Sequence, residues 1–453
     1  MGMAERIVCH PACKVGKGKD WAWDPAGRGC SMGMGLGCRQ QDSEEEGRRA
    51  KKYGPIVRIN AFHRVSVMIL TPEGVKEFLM SPQYPKDRMV YRRISNLFGE
   101  RFIGNGLVTV CDHEQWHKQR RIMDPAFSRS YLIGLMETFN DKAEELMEKL
   151  EEKADGKTEF SMLTMMNRVT MDIIGKVAFG LELNALSDDR MPLPHAVRMV
   201  LEGMTKARIP LLRYMPGKQK LVKEVKESVR LLRRVAKECI DQRRKDIQNG
   251  KEATLDILTQ ILKGDALEET RDDENILDNF ITFFVAGHET TANQLSFTVM
   301  ALAQHPDILE RVQAEVDEVL GAKRDIDYED LGKLKYLSQV LKESLRLYPP
   351  VAGTLRWTDK EHVVDGIRIP ANTTLIFSNY IMARLERYFK DPLTFNPDRF
   401  SEDAPKEGSI SAVQGVVGKA VNSSTDTLVN RAVEMRDATM SALCTANERD
   451  KMH

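Results

Sequence analysis

Phe283-Phe-Val-Ala-Gly-His-Glu-Thr-Thr-Ala292 lies in the middle of a stretch, Asn279 to Pro306, in which Glu289 is the only acidic or basic residue when histidine is counted neutral. A run of this length with no proline before its end reads as one long helix. Its Asn, Gln, Thr and His content suits burial within protein better than contact with lipid. Burying a charge is costly, so Glu289 is the first candidate for function. Ala286 and Gly287 leave room for a flat ligand close to the helix backbone, while Glu289 and the Thr290 hydroxyl are able to widen a helix locally and to carry protons. Taken alone, the segment reads equally well as a kinked core helix.

Downstream, Tyr336-Leu-Ser-Gln-Val-Leu-Lys-Glu-Ser-Leu-Arg-Leu-Tyr-Pro-Pro350 has the pattern of an amphipathic helix stopped by two prolines, with Glu343 and Arg346 three residues apart on one face. As an exposed pair they would contribute only a few tenths of a kcal/mol, roughly. Upstream, β-branched runs such as Ile56 to Ile59 and Val65 to Leu70 alternate with long helical patterns bounded by Pro and Gly. Helices dominate from Ala50 to Phe400. The region Leu181 to Pro216 is weakly patterned and reads as loops between helices, so one large domain, mainly α with small β-sheets, is the simplest organisation.

The chain has 453 residues, 42% of them hydrophobic, with 67 basic and 67 acidic side chains. That length is able to bury a large core, and the balanced charge argues against a nucleic-acid partner. Seven scattered cysteines read as reduced thiols rather than a disulfide framework. Residues 1–49, with nine glycines and no sustained apolar period, read as a disordered leader without a membrane anchor. Residues 401–453 contain no Phe, Trp or Tyr and only nine Ile, Leu or Val, which is little from which to build a core. Charge is uneven along the body: residues 191–250 hold 15 basic and 6 acidic side chains. Within that block Ile209-Pro-Leu-Leu-Arg-Tyr-Met-Pro-Gly-Lys218 mixes apolar and basic residues in a way suited to an anionic membrane surface, though a solvated helical face and loop explain it as well.

Two other motifs compete for attention. His113-Glu-Gln-Trp-His117 has the spacing at which two imidazoles on one helix face bind zinc, which would make the chain a zinc hydrolase, but no distinctive third ligand follows. The glycines at 33, 35 and 37 form G-x-G-x-G without the flanking strand and helix of a phosphate loop.

The long buried segment, the Glu343/Arg346 helix, Phe395-Asn-Pro-Asp-Arg-Phe400 after it and Trp116-His-Lys-Gln-Arg120 before it occur in the order found in cytochromes P450, and residues 50–406 resemble that family. Around Lys51 to Pro55, Trp116 to Arg121 and Phe280 to Ala292 the wording is most similar to cholesterol 24-hydroxylases. The resemblance implies a P450-like fold and haem as cofactor. Trp116 and Arg120 would serve one haem propionate and Arg356 the other, with guanidinium suited to carboxylate. Ala286 and Gly287 would border the haem, and Glu289 and Thr290 would relay protons. Glu343, Arg346 and Arg399 would form a buried structural network. It further implies oxygen insertion into a C–H bond of a sterol, with electrons from an NADPH-dependent flavoprotein reductase docked near Lys118, Arg120 and Arg121. The family works at the endoplasmic-reticulum membrane. A chain without its anchor would be cytosolic or peripheral.

The chain departs from the family after Phe400. Ser401-Glu-Asp-Ala-Pro-Lys-Glu-Gly-Ser-Ile410 stands where the loop bearing the axial cysteine is expected. The sole later cysteine, in Ser441-Ala-Leu-Cys-Thr-Ala-Asn447, has no glycine or arginine around it to shape a thiolate site. The sequence therefore leads one to expect a P450-like body that is incomplete at its C-terminal side, a metal site without its axial Cys, and either a weak enzyme or a non-catalytic interaction protein.

Overall fold

In the computed structural model, the described residues are 50, 54–61, 64–155, 157–207, 209, 212–251, 256–266 and 272–403. The expected leader, the tail from 404 onward with Cys444, and the glycine run at 33–37 lie outside them.

Side-chain caps account for five of the eleven helix starts described below. Strands β1 (Ile56–Ala61) and β2 (Arg64–Ile69) are followed by α1 (Pro72–Met80), where the Thr71 hydroxyl accepts from Gly74 N and Pro72 fills the first turn. Asp87 caps α2 (Arg88–Ser95). After the short strands β3 (Asn96–Leu97) and β4 (Glu100–Arg101), Asp112 caps α3 (His113–Met123). Next come α4 (Met136–Glu151) and α5 (Met162–Phe179), the latter capped by Ser161. Then follow α6 (Pro192–Lys206), α7 (Gln219–Gln248), α8 (Ile257–Ala266) and α9 (Asp273–Gln304). Helices α10 (Pro306–Leu320) and α11 (Lys335–Leu347) precede strands β5 (Gly353–Thr358), β6 (His362–Val364), β7 (Ile367–Ile369) and β8 (Thr373–Ser378).

Helix α9 begins six residues before the uncharged stretch. Asp272 caps it, and Asp273 and Glu274 sit in its first turn, where the partial positive charge of the helix end favours them. It is one continuous α-helix of 32 residues through Glu289 and Thr290, with neither a kink-forming proline nor a widened turn. The expectation of loops over Leu181 to Pro216 is corrected by α6. Its prolines at 192 and 194 fall in the first turn, where no intrahelical N–H is needed, and Leu193, Ala196, Val197, Val200, Leu201 and Met204 form its buried face.

Four strands form the main sheet in the order β1-β2-β8-β5, with β8 parallel to β2 and antiparallel to β5. This sheet forms one apolar cluster with α1. A second joins α4, α5, α10 and α11, and a third surrounds the N-terminal half of α9. In the third, Phe179 stacks on Phe280 with ring centroids 3.9 Å apart. Gly287 belongs to the contact between α9 and α5, since a β-carbon there would lie 2.6 Å from Ile174 Cδ1. The missing side chain lets two helices approach, a different use from the ligand clearance expected of it.

Candidate active site

Ala286, Glu289 and Thr290 are buried on α9, and the Thr290 hydroxyl donates to Ala286 O at 2.8 Å. Asn293 Nδ2 donates to Glu289 O, and Thr291 Oγ1 donates to Gly287 O. These bonds fix rotamers just beyond the apolar cluster that contains Phe280, Phe283, Phe284, Val285, Ala286, Ile103, Leu107 and Val108. A carboxylate and a hydroxyl thus stand at the border of an apolar compartment. His288, also buried, is pushed down to about 4 by desolvation and is neutral at physiological pH.

A separate group of buried donors sits where β5 meets the segment before α2. Lys86 forms a β-bridge with Arg356, and Trp357 N donates to Pro85 O at 2.9 Å. Lys86 Nζ donates to Leu107 O and Val108 O, both at 2.9 Å. Arg356 NH1 donates to Thr354 Oγ1, which also contacts Tyr91 OH at 3.0 Å. Burial lowers the Arg356 pKa, and it pushes Lys86 down to about 7, with the Arg356 charge adding to the effect. Cys111, just before α3, feels both cations, and burial raises its pKa. One turn into α3, Trp116 Nε1 is buried with no hydrogen-bond partner. Two desolvated basic groups, Lys86 and Arg356, and an orphaned indole N–H are donors suited to a carboxylate-bearing cofactor, so haem, with its two propionates, fits this side of the molecule.

Lys86 also sets a pH dependence. Between about pH 7 and 10.5 the unfolded chain carries a proton on this group that the folded chain lacks, so the group makes stability rise with pH. The slope is at most about 1.4 kcal/mol per pH unit. The Lys86→Met variant is expected to lose this slope, read as the difference between urea midpoints at about pH 7.5 and about pH 9.

Placement of the other expected residues is mixed. Arg120 reaches Asp124, the C-cap of its helix, with Nε 3.1 Å from Oδ1. His113 and His117 are exposed, their ring centroids 6.4 Å apart. Among the described residues no group of three metal-binding side chains exists, so the zinc reading lacks its third ligand. The exposed-pair reading of Glu343 and Arg346 is corrected: their side chains are 0% and 4% exposed. Arg346 makes a bidentate contact with Glu343 at 2.7 and 2.8 Å and donates to Ala383 O and Pro392 O. Arg399 Nε lies 3.3 Å from Glu343 Oε1, and Asn396 N donates to the same oxygen at 2.8 Å. Helix α11 is thereby tied to the Phe395–Phe400 segment. Lys86 escaped the sequence reading because nothing in Tyr84-Pro-Lys-Asp87 distinguishes a buried lysine from a surface one. Both described cysteines are free thiols: Cys111 lies beside Lys86, and Cys239 donates to Phe179 O.

Comparison with known proteins bears on this arrangement directly. The family model described as Cytochrome P450 matches residues 32–413. Cytochrome P450 4d2 of Drosophila melanogaster is 29% identical over 381 residues, covering 79% of this chain and 74% of the relative. Cytochrome P450 4c21 of Blattella germanica is 28% identical over 369 residues, 78% and 72% of the two chains. Cyclooctat-9-en-7-ol 5-monooxygenase of Streptomyces melanosporofaciens is 29% identical over 363 residues, 78% and 74%. None of these three names mentions a sterol, and the expected closeness to cholesterol 24-hydroxylases finds no support in them. With its mainly helical fold, a family match over most of its length and a buried donor set suited to haem, the chain belongs to the cytochrome P450 family, whose cofactor is haem.

Proposed function

We propose that this protein carries the substrate side of a haem-dependent monooxygenase site that takes an apolar substrate of the sterol class. The observation that supports it is that buried Glu289 and Thr290 follow, on one helix, the apolar cluster that contains Phe280, Phe283 and Ala286. When bound, haem supplies the one-electron and dioxygen chemistry. Trp116, Lys86 and Arg356 hold its carboxylates by charge-assisted hydrogen bonds, with Arg120 as a further donor. The apolar side chains around Ala286, among them Leu107 and Val108, exclude water from the site. Glu289 is the group on α9 that would hold an exchangeable proton, and the Thr290 hydroxyl, which donates its hydrogen to Ala286 O, keeps lone pairs with which it would accept a hydrogen bond.

Family members work with a redox partner, here a flavoprotein reductase using NADPH, and the exposed Lys118 and Arg121 provide a cationic face for it. Tyr214 and Met215, 63% and 44% exposed beside Arg213, suit a membrane surface, with the endoplasmic reticulum as its site. No helix among the described residues is long and apolar enough to cross a membrane. Among the described residues, neither cysteine stands in a setting shaped for the iron's axial thiolate. Cys111 and Cys239 are engaged elsewhere, and Cys444 stands in Ser441-Ala-Leu-Cys-Thr-Ala-Asn447. Turnover is therefore expected to be weak, and a non-catalytic role is the second reading.

The substrate class is tested by titrating the protein with dehydroergosterol, a fluorescent sterol, and with a long-chain fatty acid. Saturable sterol binding, displaced by cholesterol, is expected. Saturable binding of the fatty acid alone would sink the sterol assignment.

A further inference from the structure

The two buried basic groups of the carboxylate donor set share one uncharged neighbour, Tyr91 of α2. Lys86 Nζ stands over its ring, 5.8 Å from the centroid and within reach of a cation–π contact. The Tyr91 hydroxyl meets Thr354 Oγ1 at 3.0 Å, and that oxygen in turn accepts from Arg356 NH1 at 3.2 Å. Burial raises the Tyr91 pKa, while the Arg356 charge, the Thr354 hydrogen bond and the Leu355 backbone act the other way. The phenol therefore keeps its hydrogen at physiological pH and meets Thr354 as a neutral hydroxyl.

The first turn of α2 is fastened to the main sheet at two points. Asp87, buried at the helix start, accepts from Met89 N and Val90 N with one oxygen and from Thr374 Oγ1 of β8 at 2.5 Å with the other. One turn on, Tyr91 N donates to Asp87 O at 3.0 Å, and the Tyr91 hydroxyl reaches β5 at Thr354. In the ladder between β5 and β8, Arg356 pairs with Leu375 and Trp357 with Thr374. The two attachments thus fall on either side of Arg356 along the sheet, and Lys86 is bridged to Arg356 by backbone between them.

We propose that Tyr91 is a positioning residue for the cofactor carboxylates: its ring face steadies the Lys86 ammonium, and its hydroxyl, through Thr354, aims the Arg356 guanidinium. The proposal rests on the haem reading of this donor set. A guanidinium loses side-chain freedom when it binds a carboxylate, and a partner that already holds its NH1 makes that loss smaller. Thr354 is held in turn by Tyr91, so the three groups act as one chain. The competing use of Tyr91 is core packing, since it belongs to the apolar cluster with Ile94, Leu97 and Phe102. The two uses separate in Tyr91→Phe, which keeps the ring, its packing and its face toward Lys86 and removes only the hydroxyl.

Equilibrium titration of the full chain with haem, and with haem dimethyl ester, whose propionates carry no charge, tests the proposal. Tyr91→Phe is expected to weaken haem binding about three- to tenfold, the equivalent of one hydrogen bond, and to leave the ester within about twofold of the unaltered protein. In the Arg356→Leu background the same substitution is expected to have no further effect, because the group it aims is gone. Tyr91→Leu, which also removes the ring, is expected to weaken haem about threefold beyond Tyr91→Phe, and that extra loss is expected to vanish in Lys86→Met. Thr354→Val removes only the intervening hydroxyl; it is expected to repeat the Tyr91→Phe pattern and decides the matter if Tyr91→Phe does not fold. Equal weakening of haem and ester, full additivity with Arg356→Leu, or unchanged haem affinity would each overturn the proposal. If the unaltered protein takes up no haem, the haem reading fails and the positioning role falls with it. Haem uptake with additive losses leaves the haem reading in place and removes only the role of Tyr91.

Discussion

Replacing Glu343 by glutamine is expected to cost the protein roughly 3 to 5 kcal/mol, the range found when one member of a buried ion pair is removed. The reason is geometric. Glu343 is completely buried and takes both guanidinium contacts from Arg346, one from Arg399 and the backbone N–H of Asn396. A glutamine of the same shape supplies a single oxygen and places an N–H where Arg346 donates, stranding a desolvated cation. Arg346 also holds Ala383 O and Pro392 O, so its displacement loosens the chain segments that follow β8 as well as α11. Against a typical total stability of about 5 to 15 kcal/mol, the loss removes a large part of the margin and unfolds a substantial share of molecules where the total lies at the low end. A urea midpoint, or the soluble yield where unfolding is irreversible, reads the effect. A change under about 1 kcal/mol would mean that solvent reaches the network and that it acts as a surface pair.

The Glu343 network illustrates which parts of the molecule were legible in the sequence. An i,i+3 acid and base on an amphipathic helix reads as a surface pair unless the partner segment is known. That partner, Asn396 to Arg399, is fixed only by tertiary structure, and the resemblance pointed to it where periodicity did not. The long helix was legible because 28 residues with a single charge have few alternatives, and its earlier start follows from ordinary capping by Asp272. Helix α6 was hidden because Pro192 and Pro194 signal a break when their place in the first turn is unknown.

The site itself was half legible. Glu289 and Thr290 announced themselves as polar groups in an apolar run, and they are buried as that implied. Gly287 announced itself too, yet its lack of a side chain serves the contact with Ile174. Lys86 gave no local sign. It is buried by strands more than 260 residues away in sequence.

The largest functional effect is expected from Arg356→Leu. Arg356 is a desolvated guanidinium beside Lys86, and a hydrogen bond to a charged group contributes about 1.5 to 3 kcal/mol, so haem retention is expected to fall by roughly 10- to 150-fold. The loss is read by equilibrium haem titration and does not depend on turnover. Lys86 then carries the carboxylate alone, and Trp116 Nε1 contributes only a neutral donor. The leucine removes a buried charge, so the haem-free protein is expected to fold at least as well as the original, and loss of haem is then attributable to the site.

The most direct test of the account is haem titration of the purified chain, followed by reduction and carbon monoxide, with Arg356→Leu in parallel. The account predicts one haem per chain, weakened in the variant, and a carbon monoxide band of neutral ligation without the thiolate band at about 450 nm. Failure of the chain to take up haem, or equal uptake by the variant, would contradict the assignment of Lys86, Trp116 and Arg356 as the carboxylate site. A band at about 450 nm would show that one of the seven cysteines of this chain reaches the iron, contradicting the expectation of a metal site without its axial Cys.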